Sequence, residues 1–163
     1  MSRRADASPL RRAGERDLER LVALFFVLLE HHAERSPRLE LRGGAEAEEQ
    51  VRRLLAARLR DGDSRVLVWD EAGDLLGLCI ARILRRPAIF AETERGEIEH
   101  LLVRGSSRRR GIGRALADAG LAWMCDRGIR RAEIQVAVEN AGARDFWRAL
   151  GFTAAMDVLE RRL

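Results

Sequence analysis

Six residues, Arg108-Arg109-Arg110-Gly111-Ile112-Gly113, combine positive charge with a backbone that side chains leave uncovered. A strand-like run over 97–103 leads through a short loop, 104–110, into a helical pattern that begins at Gly111. Such a junction aims several unpaired backbone N–H groups at one place, and the helix dipole adds partial positive charge there. Gly111 and Gly113 present no Cβ to an approaching anion, and Arg114 adds a further cation. In physical terms the segment is a site for a phosphate or pyrophosphate.

Two common phosphate patterns do not fit. Gly105 and Gly111 have the spacing of a phosphate-binding NTPase loop, but Ile112 stands where that loop needs lysine. The dinucleotide pattern GxGxxG needs a third glycine at 116, and that residue is Leu116.

Proton chemistry has its own candidates. Glu97 and Glu99 are two apart on the strand-like run, so alternation puts both on one face. Burial beside an apolar sheet would raise the pKa of either one towards that of a useful general base. Glu92 and Glu94 precede them, and the four carboxylates together would suit a cationic amine; a solvated loop gives the same pattern. His31 and His32 lie on the first helical segment, where His32 continues the apolar stripe.

The elements that must position these groups are legible from periodicity. A short strand is expected over 9–12, after a loose tail over 1–8. Leu18, Leu21, Val22, Phe25, Leu28 and Leu29 recur at helical spacing, and the pattern ends before Pro37. Leu24, Phe26 and Val27 exceed what one buried face needs, which leaves a dimer contact or an acceptor pocket open. A second helix follows Gly43-Gly44, carries Val51, Leu54, Leu55 and Leu59, and stops near Asp61-Gly62. Runs over 65–70 and 75–84 form a hairpin signal, and 97–103 is the next strand. Helix 112–127 ends at Gly128, strand 132–138 follows, and helix 140–150 has Asn140 as N-cap. One or two closing strands are expected from Phe152. The order β-α-α-β-β-β-α-β-α-β predicts a single α/β domain over 1–163, with one mixed, mostly antiparallel sheet and helices on both faces.

Composition narrows the functional classes. All of the 30 basic charges are arginine, and the chain has no tyrosine. The net charge of +4 suggests an anionic partner, but 26 acidic residues are interspersed and no aromatic-rich basic stripe appears. A nucleic-acid-binding module is therefore the weaker reading. Cys79 and Cys125 lack metal-ligand or disulfide spacing, so no metal is expected, and a reducing, cytoplasmic setting follows. The longest apolar run, 21–29, is about half of the ~20 residues a spanning helix needs, and no signal peptide is evident.

Residues 108–113 match each fixed position of the Arg/Gln-x-x-Gly-x-Gly/Ala motif that follows a strand ending in Val, and so resemble motif A of the GNAT superfamily of acyl-CoA-dependent N-acyltransferases. The later segment is similar as well: Asn140, Ala143, Phe146, Trp147, Leu150, Gly151 and Phe152 fall on the family's Asn-x-x-Ala-x-x-Phe-Tyr-x-x-Leu-Gly-Phe. The resemblance covers 65–163 and implies N-acetyl transfer from acetyl-CoA to a small-molecule or peptide amine, by direct attack in a ternary complex. It implies that the pantetheine arm pairs with the backbone of Leu101, Leu102 and Val103, with amides near Leu102 and Val103 serving the oxyanion. The amides of Arg109, Arg110, Gly111, Ile112, Gly113 and Arg114 would hold pyrophosphate, Arg108 would order the loop or touch phosphate, and Asn140 would bond the cofactor arm or simply cap its helix. Some family branches place a general base at the position of Glu97; others use the next strand, where Gln135 cannot serve. Trp147 departs from the family pattern, because a tyrosine there protonates the thiolate and indole N–H is not a usable acid. That departure keeps a non-catalytic CoA-binding regulator as an alternative.

Overall fold

A computed structural model describes residues 8–35, 43–159 and 161, with the helical backbone alone for 31–35. Except for Ser8, the tail expected over 1–8 lies outside the described residues, as do the side chains of His31 and His32.

Five strands form one sheet in the order β1 (Leu10–Arg12), β2 (Ser64–Glu71), β3 (Asp74–Arg85), β4 (Glu94–Val103) and β5 (Ala132–Glu133). Neighbours are antiparallel except β4 and β5, which run parallel. The expected mixed, mostly antiparallel sheet is therefore present. Helices α1 (Leu18–Arg35) and α2 (Ala45–Arg60) pack on one face, and α3 (Ile112–Asp126) and α4 (Ala141–Ala149) on the other.

Side-chain alternation produces these two layers. Val66 and Val68 of β2 and Leu78 and Ile80 of β3 join Leu21, Leu24, Phe25, Leu28 and Leu55 under α1 and α2. Leu67, Cys79, Ala81 and Ile83 point the other way, to Ile112, Leu116, Ala117 and Met124 of α3. Gly120 lets α3 lie close to the sheet: a Cβ there would stand 3.3 Å from Cys79 Sγ and from Ile98 Cδ1. The surplus apolar residues of α1 meet the same core to different extents. Leu24 is fully buried, and Phe26 and Val27 pack against the same core, because α2 covers a second side of α1.

Strand β4 contains a bulge. Ile80 opposes His100 and Ala81 opposes Ile98, which leaves Glu99 as the extra residue. A bulge breaks the period of two. Ile98 thus faces α3 while Leu102, four residues on, faces α1, and Glu99 and His100 both turn to the α1–α2 side.

Two expectations need correction. The strand expected over 132–138 is only Ala132–Glu133, because β5 pairs with β4 at Gly96↔Ala132 and Glu97↔Glu133 and then diverges. The divergence begins where the bulge bends β4. The closing strands expected from Phe152 are not formed among the described residues, and the segment over 152–159 runs without a sheet partner.

Candidate active site

The divergence of β4 and β5 opens a cleft of about 1010 Å³. One wall is the edge of β4 from Glu99 to Val103, and the other is the extended chain over 134–137 with Asn140 and Phe146. The start of α3 closes one end, and Leu28 and Leu29 of α1 border the cleft as well.

Backbone direction along β4 can be read from its pairing. The N–H of Arg104 donates to the carbonyl of Leu76 on β3 at 2.8 Å. Backbone groups alternate along a strand, so Leu102 also faces β3, while Leu101 and Val103 turn their N–H and C=O groups to the open edge. The amide of Leu102, one of the two expected to serve the oxyanion, therefore faces β3 rather than the cleft; those of Leu101 and Val103 face the open edge.

The junction to α3 leaves a row of backbone donors without internal partners. Gly111, the N-cap, has φ +80°, and Arg109 has φ +62°. A side chain at position 111 would be strained by that backbone, although the space around it is open. The first helical hydrogen bond runs from Ala115 N–H to Gly111 C=O at 3.0 Å. The amides of Ile112, Gly113 and Arg114 therefore precede any internal acceptor and project from the helix end. Arg108 Nε donates to Val103 C=O at 3.2 Å, which ties the loop to the strand before it, and Arg104 Nε fastens the loop to Leu75 C=O at 2.8 Å.

Of the residues singled out from sequence, Glu99, Leu101, Leu102, Val103, Arg108, Arg109, Gly111, Ile112, Gly113, Arg114 and Asn140 border the cleft. Arg110 and Glu97 do not. Arg110 turns away to Glu71 at 2.7 Å, and Glu97 lies 3.6 Å from Arg82. Asn140 caps α4, its side chain accepting from Ala143 N–H at 3.1 Å. Trp147 is 5% exposed and packs edge-on between Phe146 and Phe152, so it is a core aromatic that also borders the cleft.

Burial does not make Glu99 the stronger base expected of it. Desolvation penalises its charge, but Arg58 donates two hydrogen bonds at 2.7 and 2.8 Å. With the charges of Arg58, Arg82 and His100 added, the carboxyl is held below the usual carboxylate range. The other carboxylates of the expected acidic face are paired too: Glu92 with Arg131 at 3.4 Å and Glu94 with Arg85 at 3.3 Å. The four do not form an open anionic patch.

His100 is the site residue that sequence reasoning passed over. It borders the cleft with its ring edge-on to Phe25, centroids 4.8 Å apart. Simple alternation from Glu99 would have sent it to the opposite face; only the bulge brings the two together.

The model of the acetyltransferase (GNAT) family matches residues 26–152. The mycothiol acetyltransferase of Segniliparus rotundus is 34% identical over 111 residues, covering 68% of this chain and 41% of that protein. That of Beutenbergia cavernae is 34% identical, covering 71% and 45% respectively. The chain thus spans about two-fifths of the length of these curated relatives. Among solved structures, a predicted acetyltransferase with acetyl-CoA from Clostridium acetobutylicum superposes with TM-score 0.77 at 15% identity, over 94% of each chain. An aminoglycoside N-acetyltransferase in complex with CoA superposes with TM-score 0.69 at 21% identity, over 94% of this chain and 98% of that one. Motif, fold, cleft and family model agree, and the chain belongs to the acetyltransferase (GNAT) family.

Proposed function

We propose that this chain transfers the acetyl group of acetyl-CoA to a primary amine, by direct attack while both substrates are bound. The observation that carries this reading is the open edge of β4, from Leu101 to Val103, leading straight to the Gly111-capped start of α3. An amide-bearing arm attached to a pyrophosphate needs that sequence of partners: a strand edge, then a cluster of backbone donors.

The residues fit the cofactor. Amides from Arg109 to Arg114 hold the pyrophosphate, with Arg108 keeping the loop in place and Arg109 and Arg114 supplying positive charge. Backbone groups of Leu101 and Val103 bind the pantetheine arm, and one of their N–H groups stabilises the oxyanion as the amine attacks. Leu102 contributes through the core, where it anchors the strand. Asn140 keeps its capping bond and turns the rest of its amide to the arm. With Trp147 buried and no tyrosine in the chain, the thiolate takes its proton from the attacking nitrogen or from water.

Family membership and the mycothiol and aminoglycoside acetyltransferases above support acetyl transfer to an amine of a small molecule. The pairing of Glu92, Glu94, Glu97 and Glu99 with arginines removes the argument for a polycationic acceptor. The test is CoA release from acetyl-CoA across a panel of small amines, followed with a thiol reagent. Amine-dependent release is expected. Tight acetyl-CoA binding without turnover on any amine would replace the enzyme with a CoA-binding regulator.

A further inference from the structure

Arginines along the strands are mostly paired: Arg11 with Asp17 and Asp70, Arg82 with Glu99, Arg85 with Asp63, and Arg95 with Glu133. Arg65 of β2 is an exception. Its side chain is half-buried, and among the described residues no carboxylate forms an ion pair with it. Its neighbours carry charge of the same sign. Alternation along β2 puts Arg65 on the α3 face with Leu67, and Arg12 of β1 opposes Leu67 on that face. Arg12 is exposed and likewise forms no ion pair among the described residues. Arg127 joins them from the end of α3. The guanidiniums of Arg65 and Arg127 lie over the Trp123 ring, 5.4 and 5.7 Å from its centroid. Burial, with the charges of Arg12 and Arg127, pushes the Arg65 pKa below its ordinary value. Trp123 is only 8% exposed, and its buried indole N–H has no acceptor among the described residues.

Features of the fold that oppose this charge fall short. Asp63 accepts from Arg127 at 3.1 Å but is shared with Arg85. Asp126, beside Arg127 in the chain, is exposed and pairs with none of the three among the described residues. The C-terminal end of α3 contributes about half a negative charge, and the Trp123 face attracts cations without carrying a charge. Three guanidiniums thus meet one shared carboxylate and a partial dipole, around a buried donor with nothing to bond. Native interiors satisfy such groups, and an exception points to an ion.

We propose that Arg12, Arg65 and Arg127, with the Trp123 indole N–H, form a binding site for a phosphomonoester dianion at the end of α3 opposite Gly111. The 15 residues of α3 put this site roughly 20 Å from the helix start, so it is separate from the acetyl-CoA cleft. A dianion suits it better than a single carboxylate, because two guanidiniums lack an anion and each presents forked donors to phosphate oxygens. Trp123 is too buried to stack on a base, which argues against a nucleic-acid strand.

The probe is inorganic phosphate, titrated at constant ionic strength with chloride as the balance. The readout is the indole N–H resonances of Trp69, Trp123 and Trp147, with Trp123→Phe identifying its own signal. That signal is expected to move saturably, with a Kd on the order of millimolar. It should do so equally in Gly111→Asp, which separates this site from the start of α3. Arg65→Gln is expected to weaken binding roughly tenfold or more, and Arg12→Gln, at the exposed edge, by less. Arg53→Gln, on α2 and paired with Glu49, should change nothing. If Arg65→Gln does not fold, Arg12→Gln decides. A Trp123 signal indifferent to phosphate, full affinity in both cluster variants, or a response lost in Gly111→Asp would overturn the proposal. A response to octathymidylate but not to phosphate would also overturn it, in favour of a nucleic-acid contact.

Discussion

Asp17 and Glu99 are both carboxylates held by two arginines beside the same layer of helices. Asp17, just before α1, accepts from Arg11 at 2.8 Å on each oxygen, from Arg20 and from Gly14 N–H, and is fully buried. Asp70 completes the knot by accepting from Arg11 as well, tying β2 to β1 and to the start of α1. Glu99 is clamped by Arg58 and Arg82, but it is 17% exposed and borders the cleft. The clamping chemistry is the same, and the surroundings differ. Around Asp17 every partner is used in closing the fold. Beside Glu99 a β-bulge places an imidazole and an open strand edge. Two arginines on a carboxylate therefore do not identify a function; the neighbouring groups do.

The largest expected effect comes from breaking the closed knot. Asp17→Ala leaves Arg11 and Arg20 without their buried anion and should cost about 3–5 kcal/mol in urea unfolding. Acetyl-CoA affinity of the molecules that remain folded should not change. A cost near zero would show that the knot is not what holds β1 and α1 together.

Glu99→Gln should be milder in stability, about 1–2 kcal/mol, because water reaches the site and the amide still accepts a hydrogen bond from Arg58. Its signature is catalytic: turnover falls while acetyl-CoA affinity holds. A variant as unstable as Asp17→Ala with unchanged turnover would make the two carboxylates equivalent and remove the contrast.

Acid provides the third and smallest contrast. Hydrogen bonds from Arg11 hold the Asp17 carboxyl far below the usual range. A depressed native pKa contributes stability that is complete above the unfolded value, ~3.9, and is lost as pH falls below it. Wild-type stability should therefore decline steeply below about pH 4, and Asp17→Asn should flatten that decline more than Glu99→Gln does. Equal slopes in chemical denaturation at pH 3 and 5 for wild type and Asp17→Asn would contradict the assignment.

Local rules made much of the molecule legible. The helical stripes of α1, α2 and α3, the hairpin of β2 and β3, and the Asn140 cap follow from spacings within a few residues. The loop-to-helix junction at 108–114 was readable for the same reason, since its glycines act on adjacent backbone. The length of β5 was not, because Ile134-Gln-Val-Ala137 alternates like a strand and lacks only a partner. Nor was the clamp on Glu99: Arg58 is 41 residues away in sequence, and a bidentate contact over that separation exists only once α2 lies on the sheet. His100 escaped because period-two reasoning cannot register a single inserted residue. The surplus apolar residues of α1 left a dimer contact or an acceptor pocket open from sequence; Leu24 is buried in the core and Phe26 and Val27 are partly buried against it.

The central claim is that the cleft between β4 and the extended chain after β5 binds acetyl-CoA through the start of α3. Calorimetric titration of acetyl-CoA into the wild type and a Gly111→Asp variant tests it directly. The variant puts a carboxylate where pyrophosphate should rest, on a backbone with φ +80° that disfavours a side chain. The account predicts a Kd on the order of micromolar for the wild type and a loss of roughly a hundredfold or more in the variant. No binding by the wild type, or equal affinity in the two proteins, would contradict it.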